Sequence, residues 1–375
     1  MDDIAYYIGI ISGTSMDGID CVAIKLQNQK LELLASHSSK YPEDLRQQLF
    51  SICTNPSISL LQFGRLNVAV GKVFGKTINT LLSANHLNPK MIAAIGSHGQ
   101  TIFHSPGYPD AFSLQIGDPN TIASLTGITT IADFRQRDVS VGGQGAPLAP
   151  LFHQYFFYNK DLTRCILNIG GMSNITWITR NPDSTPVGFD TGPGNALMDL
   201  WVSRWKDKPF DAGGEWASSG NVHAALLDRF LEEAYFQKSA PKSTGRELFN
   251  QNWLDQCLAD FDSIAPTDVQ RTLLELTARS VTEAIAQTSP TESDSGKELL
   301  VCGGGVYNNL LMSRLQQLLP AFEVKSTAAY GMPPDWIEAS TFAWLASKTI
   351  NKEKIDTGIL TGACQPVVLG GVYYS

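Results

Sequence analysis

Two apolar runs separated by a polar bend open the chain. Residues 6–11 form an apolar run, β-branched and aromatic apart from Gly9, that stops at Ser12-Gly13-Thr14-Ser15. A second apolar run, residues 19–26, resumes after Met16-Asp17-Gly18. This predicts strand, turn, strand, because β-branched residues suit a pleated surface and glycine with small polar residues bends the chain. Residues 31–37 predict a third strand, and so a meander. Residues 43–86 predict two helices. In the second, Leu60, Phe63, Leu66, Asn67, Val70, Val73, Phe74 and Ile78 recur at spacings of three and four, which gives one buried face. Short apolar runs predict strands at 91–95, 113–116 and 128–133, with a helix at 121–125. The first of these strands runs into a loop, Gly96-Ser97-His98-Gly99-Gln100-Thr101. The last ends in another, Asp133-Phe134-Arg135-Gln136-Arg137-Asp138.

After the glycine-dense connection Gly142-Gly143-Gln144-Gly145-Ala146-Pro147 the pattern starts again. A strand at 164–169, the turn Gly170-Gly171-Met172-Ser173-Asn174 and a strand at 175–179 repeat the opening logic. No residue-level repeat accompanies them, so the duplication is architectural. Val187-Gly188-Phe189 leads into Asp190-Thr191-Gly192-Pro193-Gly194-Asn195 and a helix through residue 205. Residues 221–236 are helical, and Thr267 or Asp268 is expected to cap a helix through residue 286. A polar loop follows at 288–296. A strand at 299–302 opens into Gly303-Gly304-Gly305-Val306-Tyr307-Asn308 and a further helix, and a last long helix covers 337–349. The glycine- and valine-rich tail at 359–373 is expected to return to the first domain. Strands alternating with helices make the class α/β. The expected first domain is 1–138 plus about 355–375, and the second is 139–354.

Composition narrows this. At 375 residues, two domains are expected. With 43% hydrophobic residues the chain can bury full cores. A net charge of −8 argues against a nucleic-acid or anionic-membrane partner. Cys21, Cys53, Cys165, Cys257, Cys302 and Cys364 are scattered without a CxxC pair, which suits neither a zinc knuckle nor a redox couple. The opening Met1-Asp2-Asp3 lacks a basic leader segment, and no apolar run approaches ~20 residues. The expected compartment is a reducing cytoplasm.

Four glycine-rich turns follow four predicted strands, at 12–20, 168–174, 190–195 and 303–308, each carrying Thr, Ser, Asn or Asp. In α/β folds such loops converge at the carboxyl ends of strands, where glycine lets the backbone approach a polyphosphate closely. Gly71 to Thr77 nearly spells a phosphate-binding loop. It lacks one residue between the glycines and sits inside a helical pattern, so it is read as a helix face.

The order of the turns resembles the superfamily of sugar kinases, Hsp70 chaperones and actin. The strings Gly-Thr-Ser-Met-Asp-Gly-Ile-Asp, Gly-Ser-His-Gly-Gln-Thr-Ile-Phe-His, Ala-Asp-Phe-Arg-Gln-Arg-Asp, Gly-Gly-Gln-Gly-Ala-Pro-Leu-Ala-Pro, Asn-Ile-Gly-Gly-Met-Ser-Asn, Phe-Asp-Thr-Gly-Pro-Gly-Asn and Lys-Ser-Thr-Gly-Arg-Glu resemble the anhydro-N-acetylmuramic acid kinase family over most of the chain. The resemblance implies a two-domain actin-like ATPase fold, with ribonuclease H-like mixed sheets and flanking helices around a central cleft. It implies ATP and Mg2+ as cofactors and a homodimer. The implied reaction opens the 1,6-anhydro ring of the sugar with water and phosphorylates O6. The product, N-acetylmuramic acid 6-phosphate, belongs to peptidoglycan recycling. A conventional sugar kinase without ring opening and an actin- or Hsp70-like nucleotide clamp are the other readings of the same turns.

Residue roles follow. Asp190 is the expected catalytic base, with helix capping as its ordinary alternative. Gly13, Thr14, Ser15, Met16, Asp17, Gly18, Ile19 and Asp20 are expected at the phosphates, with Asp20 as metal ligand and Asp17 as the weaker second candidate. Gly170, Gly171 and Asn174 form the second phosphate hairpin. Gly303, Gly304, Gly305 and Asn308 suit the adenosine or α-phosphate side. Ser97, His98, Arg135 and Glu338 are expected at the sugar, Arg135 because guanidinium binds a carboxylate bidentately. A metal site at His98 and His104 is not expected, since no third ligand is evident. Residues 242–247 match the family motif without a physical account.

Overall fold

The structure is a computed structural model that describes residues 4–13, 15–107, 109–182, 184–240, 242–261, 263–290 and 296–375. The opening pattern forms the expected meander of β1 (Ala5–Ser12), β2 (Ile19–Gln27) and β3 (Lys30–Ser39), antiparallel throughout. Helices α1 (Glu43–Thr54) and α2 (Leu60–Ala84) follow. Ser59 starts α2 with a reciprocal capping box to Gln62, and Gly71 and Gly75 lie buried within this helix. Then come β4 (Ile92–Ser105), β5 (Phe112–Ile116), α3 (Pro119–Thr126), β6 (Thr130–Ala132), α4 (Phe134–Val139) and α5 (Ala149–Phe157).

The second half contains β7 (Thr163–Ile169), β8 (Met172–Ile178), β9 (Val187–Pro193), α6 (Ala196–Lys206), α7 (Glu215–Ser218), α8 (Ala224–Leu231), α9 (Gln251–Leu258) and α10 (Pro266–Thr288). It continues with β10 (Lys297–Cys302), α11 (Asn309–Leu318) and β11 (Phe322–Ser326). Helices α12 (Ile337–Ile350) and α13 (Gly358–Thr361) and strand β12 (Gly371–Tyr373) close the chain. Residues 291–295 of the expected polar loop lie outside the described residues.

The chain divides into two compact units, Met1–Phe152 with Trp336–Ser375, and His153–Asp335. In the first, the strand order is β12-β6-β4-β1-β2-β3, with β5 paired to β4. In the second it is β11-β10-β7-β8-β9. Each sheet has a parallel central pair, β1 with β4 and β7 with β10, and each extends one member into an antiparallel meander. The duplicated α/β architecture is therefore real at the level of topology.

Each sheet packs on helices through the apolar runs read from the sequence. Ile8, Ile10, Ile19 and Cys21 meet Leu66, Val70, Phe74 and Ile78 of α2 in one core. Cys165, Leu167 and Ile175 share the other with Leu273, Leu276 and Val281 of α10. All six cysteines are free thiols. Among the described residues, no helix is long and apolar enough to cross a membrane.

Five local expectations change. Residues 96–101 do not form a loop. They continue β4, which pairs with β1 as far as Ser12 opposite Gln100, and Gly99 takes a positive φ of 78° there. Residues 134–139 are the short helix α4. Asp190 lies inside β9 and caps no helix, because β8 pairs with β9 as far as Met172 opposite Pro193. Helix α10 starts with Pro266 behind Ala265, and the Asp268 carboxylate instead accepts from the Asn221 N–H at 2.7 Å. Helix α12 packs with the first unit, although its sequence position suggested the second. The reason is a pair of glycines. A Cβ on Gly9 of β1 would stand 1.9 Å from the Ala339 carbonyl oxygen, and one on Gly96 of β4 would stand 2.0 Å from that of Phe342. Only glycine lets the α12 backbone lie this close to the sheet.

Candidate active site

In the first unit, the carboxyl ends of β1 and β4 open onto a cavity of ≈ 280 Å³ lined by Ser12, Gly13, His98, Thr101, His104, Arg135 and Glu338, among others. Arg135 reaches it from α4. Its Nε donates to His98 Nε2 at 2.7 Å and its Nη1 donates to the Gly145 carbonyl at 2.9 Å. Because Arg135 can only donate, His98 Nε2 is the unprotonated nitrogen. Nδ1 then carries the proton and faces the Gly99 carbonyl at 2.9 Å. Burial, reinforced by the Arg135 charge, holds the His98 pKa well below its ordinary value against a smaller opposing effect of the Gly99 carbonyl. His98 is therefore a neutral strut for Arg135, with both ring nitrogens occupied.

Glu338, in the first turn of α12, is exposed and lines the cavity. Desolvation raises its pKa, Arg135 works in the opposite direction, and the charge of Asp20 adds to the rise. Thus Asp20, Arg135 and Glu338 share one electrostatic neighbourhood. Ser97 does not line this cavity. It lines an adjoining one of ≈ 250 Å³ with Asn67, Gln115 and Asp118, to which His98 also contributes. The Ser97 hydroxyl is buried there without a hydrogen-bond partner.

The turn between β1 and β2 is fixed by hydrogen bonds to its backbone carbonyls, two of them from side chains. Ser12 Oγ donates to the Gly18 carbonyl at 2.9 Å, the Met16 N–H to the Gly13 carbonyl at 3.2 Å, and Gln100 Nε2 to the same Gly13 oxygen at 3.3 Å. Met16 and Ile19 send their side chains into the core, so only their backbone can face a ligand. Ser15 and Asp17 are exposed and Asp20 is half-buried. Thr14 lies outside the described residues.

In the second unit, the three remaining glycine turns come together. The Gly194 N–H donates to the Gly171 carbonyl and the Asn195 N–H to the Gly170 carbonyl, both at 2.8 Å. A Cβ on Gly194 would stand 2.4 Å from the Gly170 oxygen. Gly303, at φ 75°, leaves β10 so close to β7 that a Cβ would stand 2.4 Å from Asn168 Oδ1. Gly305 packs on Ile169, and Gly304 is exposed beside Asn195. Asn308 has a definite local role, since its side chain accepts from the Leu311 N–H at 3.1 Å and caps α11. Asn174 stands opposite Asp190 in the pairing of β8 with β9.

Asp190 is held from both sides. Its N–H donates to the Lys242 carbonyl at 3.0 Å, and the Tyr235 hydroxyl donates to its carbonyl at 2.7 Å. Its Oδ2 accepts from Ser243 Oγ at 2.9 Å and from the Thr244 N–H at 3.1 Å. Desolvation raises the Asp190 pKa, these two donors lower it, and Glu247 adds a smaller rise; the net direction is up. A raised carboxylate pKa brings a base nearer to working pH. Sequence reasoning missed Ser243 and Thr244, whose contact with Asp190 spans more than fifty positions. It also missed Thr101 and His104 at the first cavity. A carboxylate followed far along the chain by Ser-Thr-Gly offers no spacing signal.

The family model described as anhydro-N-acetylmuramic acid kinase matches residues 5–375. The anhydro-N-acetylmuramic acid kinase of Shewanella sp. (strain MR-4) is 47% identical over 367 residues, 98% of each chain. That of Coxiella burnetii (strain Dugway 5J108-111) is 46% identical over 368 residues, covering 98% of this chain and 97% of its own.

Proposed function

The chain belongs to the anhydro-N-acetylmuramic acid kinase family, and on that premise we propose how its residues carry out the phosphoryl transfer from ATP. The substrate is 1,6-anhydro-N-acetylmuramic acid. Water attacks the anomeric carbon and gives its proton to Asp190. The bond from that carbon to O6 breaks, and O6 takes the γ-phosphoryl group as ADP leaves. The products are N-acetylmuramic acid 6-phosphate and ADP. The observation that carries this reading is the Asp190 carboxylate, whose Oδ2 is anchored by two donors. Its Oδ1 has no hydrogen-bond partner among the described residues. One oxygen is thus fixed and the other is free to take a proton.

The turn at 13–20, with Thr14 and Ser15, and the Gly170-Gly171 hairpin with Asn174 bind the phosphates. Gly303, Gly304 and Gly305 back the nucleoside side, with Asn308 fixing the helix behind them. Arg135, oriented by His98, receives the anionic lactyl group, and Glu338 and Ser97 bond polar groups of the sugar. Magnesium takes one or two carboxylates together with waters and phosphate oxygens, and Asp20, in the field shared with Glu338, suits such a set better than exposed Asp17. When bound, the ion neutralises phosphate charge. A homodimer in the cytoplasm completes the proposal.

The test is incubation with ATP, magnesium and the anhydro sugar in ¹⁸O-labelled water. Label at the anomeric position and a mass gain of phosphate plus water are expected. A gain of phosphate alone would mean a conventional sugar kinase, and ATP turnover indifferent to the sugar would mean a nucleotide clamp.

A further inference from the structure

The segment 242–247 is the one family-like motif left without a role by sequence reasoning, and its contacts supply one. Its first residue is tethered: Lys242 Nζ donates to the carbonyls of Tyr235 and Phe236 at 3.3 and 3.2 Å and lies 4.9 Å from the Tyr235 ring centroid. Its next two residues supply both donors to Asp190 Oδ2. The segment lies against β9, the edge strand of its sheet, where the Asp190 N–H is already spent on the Lys242 carbonyl. Four residues after Lys242 the chain delivers a cation to the second glycine hairpin. Arg246 Nη2 and Nε lie 3.7 and 3.9 Å from the position a Gly171 Cβ would occupy.

The carbonyls of Gly170 and Gly171 are taken by the N–H groups of residues 194–196, so they do not explain a guanidinium there. Arg246 is exposed, and its guanidinium has no hydrogen bond or ion pair among the described residues. Arginine presents a planar fork suited to phosphate oxygens.

Building on the reading of Asp190 as general base, we propose that residues 243–246 act as one device in the reaction. Ser243 and Thr244 are positioning residues that aim the Asp190 carboxylate, and Arg246 contacts a phosphate oxygen of the nucleotide at the Gly170-Gly171 hairpin. The device ties the orientation of the base to the presence of phosphate through three consecutive peptide units.

Its test uses the full chain and five variants. Ser243→Ala lowers kcat by about tenfold or more, the scale of a hydrogen bond to a charged group, and leaves both KM values near wild type. It also moves the acid limb of the kcat profile to higher pH, because a donor that favours the charged carboxylate is lost while Glu247 and the surrounding burial remain. Ser243→Thr restores both. Arg246→Met weakens ATP and ADP binding in calorimetry by about tenfold without changing adenosine binding, and Arg246→Lys falls between. Arg246 is exposed, so this arm reads out in a folded protein. Wild-type kcat with an unmoved acid limb in Ser243→Ala, or unchanged ATP and ADP affinity in Arg246→Met, overturns the inference. Asp190→Asn separates the two levels. If it is inactive while Ser243→Ala matches wild type, this inference alone fails. If it keeps near wild-type sugar-dependent turnover, the general-base reading fails with it.

Discussion

Gly9→Ala is the most direct probe of how the first unit builds its pocket. The added Cβ would stand 1.9 Å from the Ala339 carbonyl oxygen and 2.7 Å from the Ala343 nitrogen. Both are backbone atoms of α12, so no side-chain rotation relieves the clash. Real Cβ atoms essentially never come within 3.0 Å of another atom, so the helix must retreat by about 1.1 Å, the difference between the two distances. A gap of that size forfeits roughly a quarter to a half of the dispersion attraction along the seam. Overpacking adds about 1–3 kcal/mol. A loss of about 3 kcal/mol is expected, or about 6–12 °C in the melting of this unit. Glu338 precedes Ala339 and moves with it. A misplacement near 1 Å can cost about 100-fold in rate, so kcat/KM for the sugar should fall by roughly 10–100-fold. Calorimetry and sugar kinetics read the two effects. A Gly9→Ala protein with wild-type melting and wild-type kcat/KM would refute the close-approach argument. Gly64→Ala is the counterpart: it adds a Cβ to α2 in open space and should stabilise by about 0.5–1 kcal/mol.

Other changes give distinct outcomes. Asp138 is buried and accepts from the Gly145 N–H at 2.7 Å, from Thr361 Oγ1 at 2.9 Å and from Thr357. Asp138→Ala should cost about 3 kcal/mol by orphaning these donors. It should also raise the KM for the sugar, since Gly145 is what Arg135 Nη1 grips; denaturant titration and kinetics check both. Asp190→Asn should lower kcat by about 10²–10⁴-fold at unchanged melting temperature. In the second unit, Glu298 pairs with Arg164 at 2.7 Å and Lys325 at 3.1 Å, with Tyr330 donating to the same carboxylate. Glu298→Ala should destabilise by about 3–5 kcal/mol by leaving Arg164 buried and unpaired. Burial pushes the Glu298 pKa up, but Tyr330, Arg164 and Lys325 outweigh it and hold it below the ordinary value. Its contribution is therefore complete above the unfolded-state pKa of about 4.3 and is lost as pH falls through the lower folded value. Melting curves between neutral and strongly acidic pH should show that slope in wild type and a shallower one in the variant.

The strands and the glycine turns were legible because they rest on local pattern. Apolar, β-branched runs in residues 6–26 mark β1 and β2, and small residues after β7, β9 and β10 mark the turns that meet around Gly170 and Gly194. What escaped was decided over distance. Gly96 and Gly99 look like loop residues, yet one makes room for α12 and the other bends a continuing strand. His98 looks like a sugar ligand, but both nitrogens are spent on Arg135 and Gly99. Asn308 looks like a nucleotide contact, and its amide oxygen caps a helix. Ser243 and Thr244 carry no periodic signal at all, because their function lies in two donor groups aimed at a residue on another element.

The return of α12 and β12 to the first sheet also sets an order of events during synthesis. The second unit is one continuous stretch, His153–Asp335, whereas the first is assembled from both ends of the chain. Gly9 and Gly96 wait with a bare groove until Ala339 and Phe342 have been made, and β6 gains its outer neighbour only with Gly371–Tyr373. As the ribosome advances, the segment born later can complete its core before the one born first. Chains ending at residue 335 and held on the ribosome by an unrelated linker long enough to clear the exit tunnel should therefore hold a protease-resistant second unit and a first unit that proteases still cut.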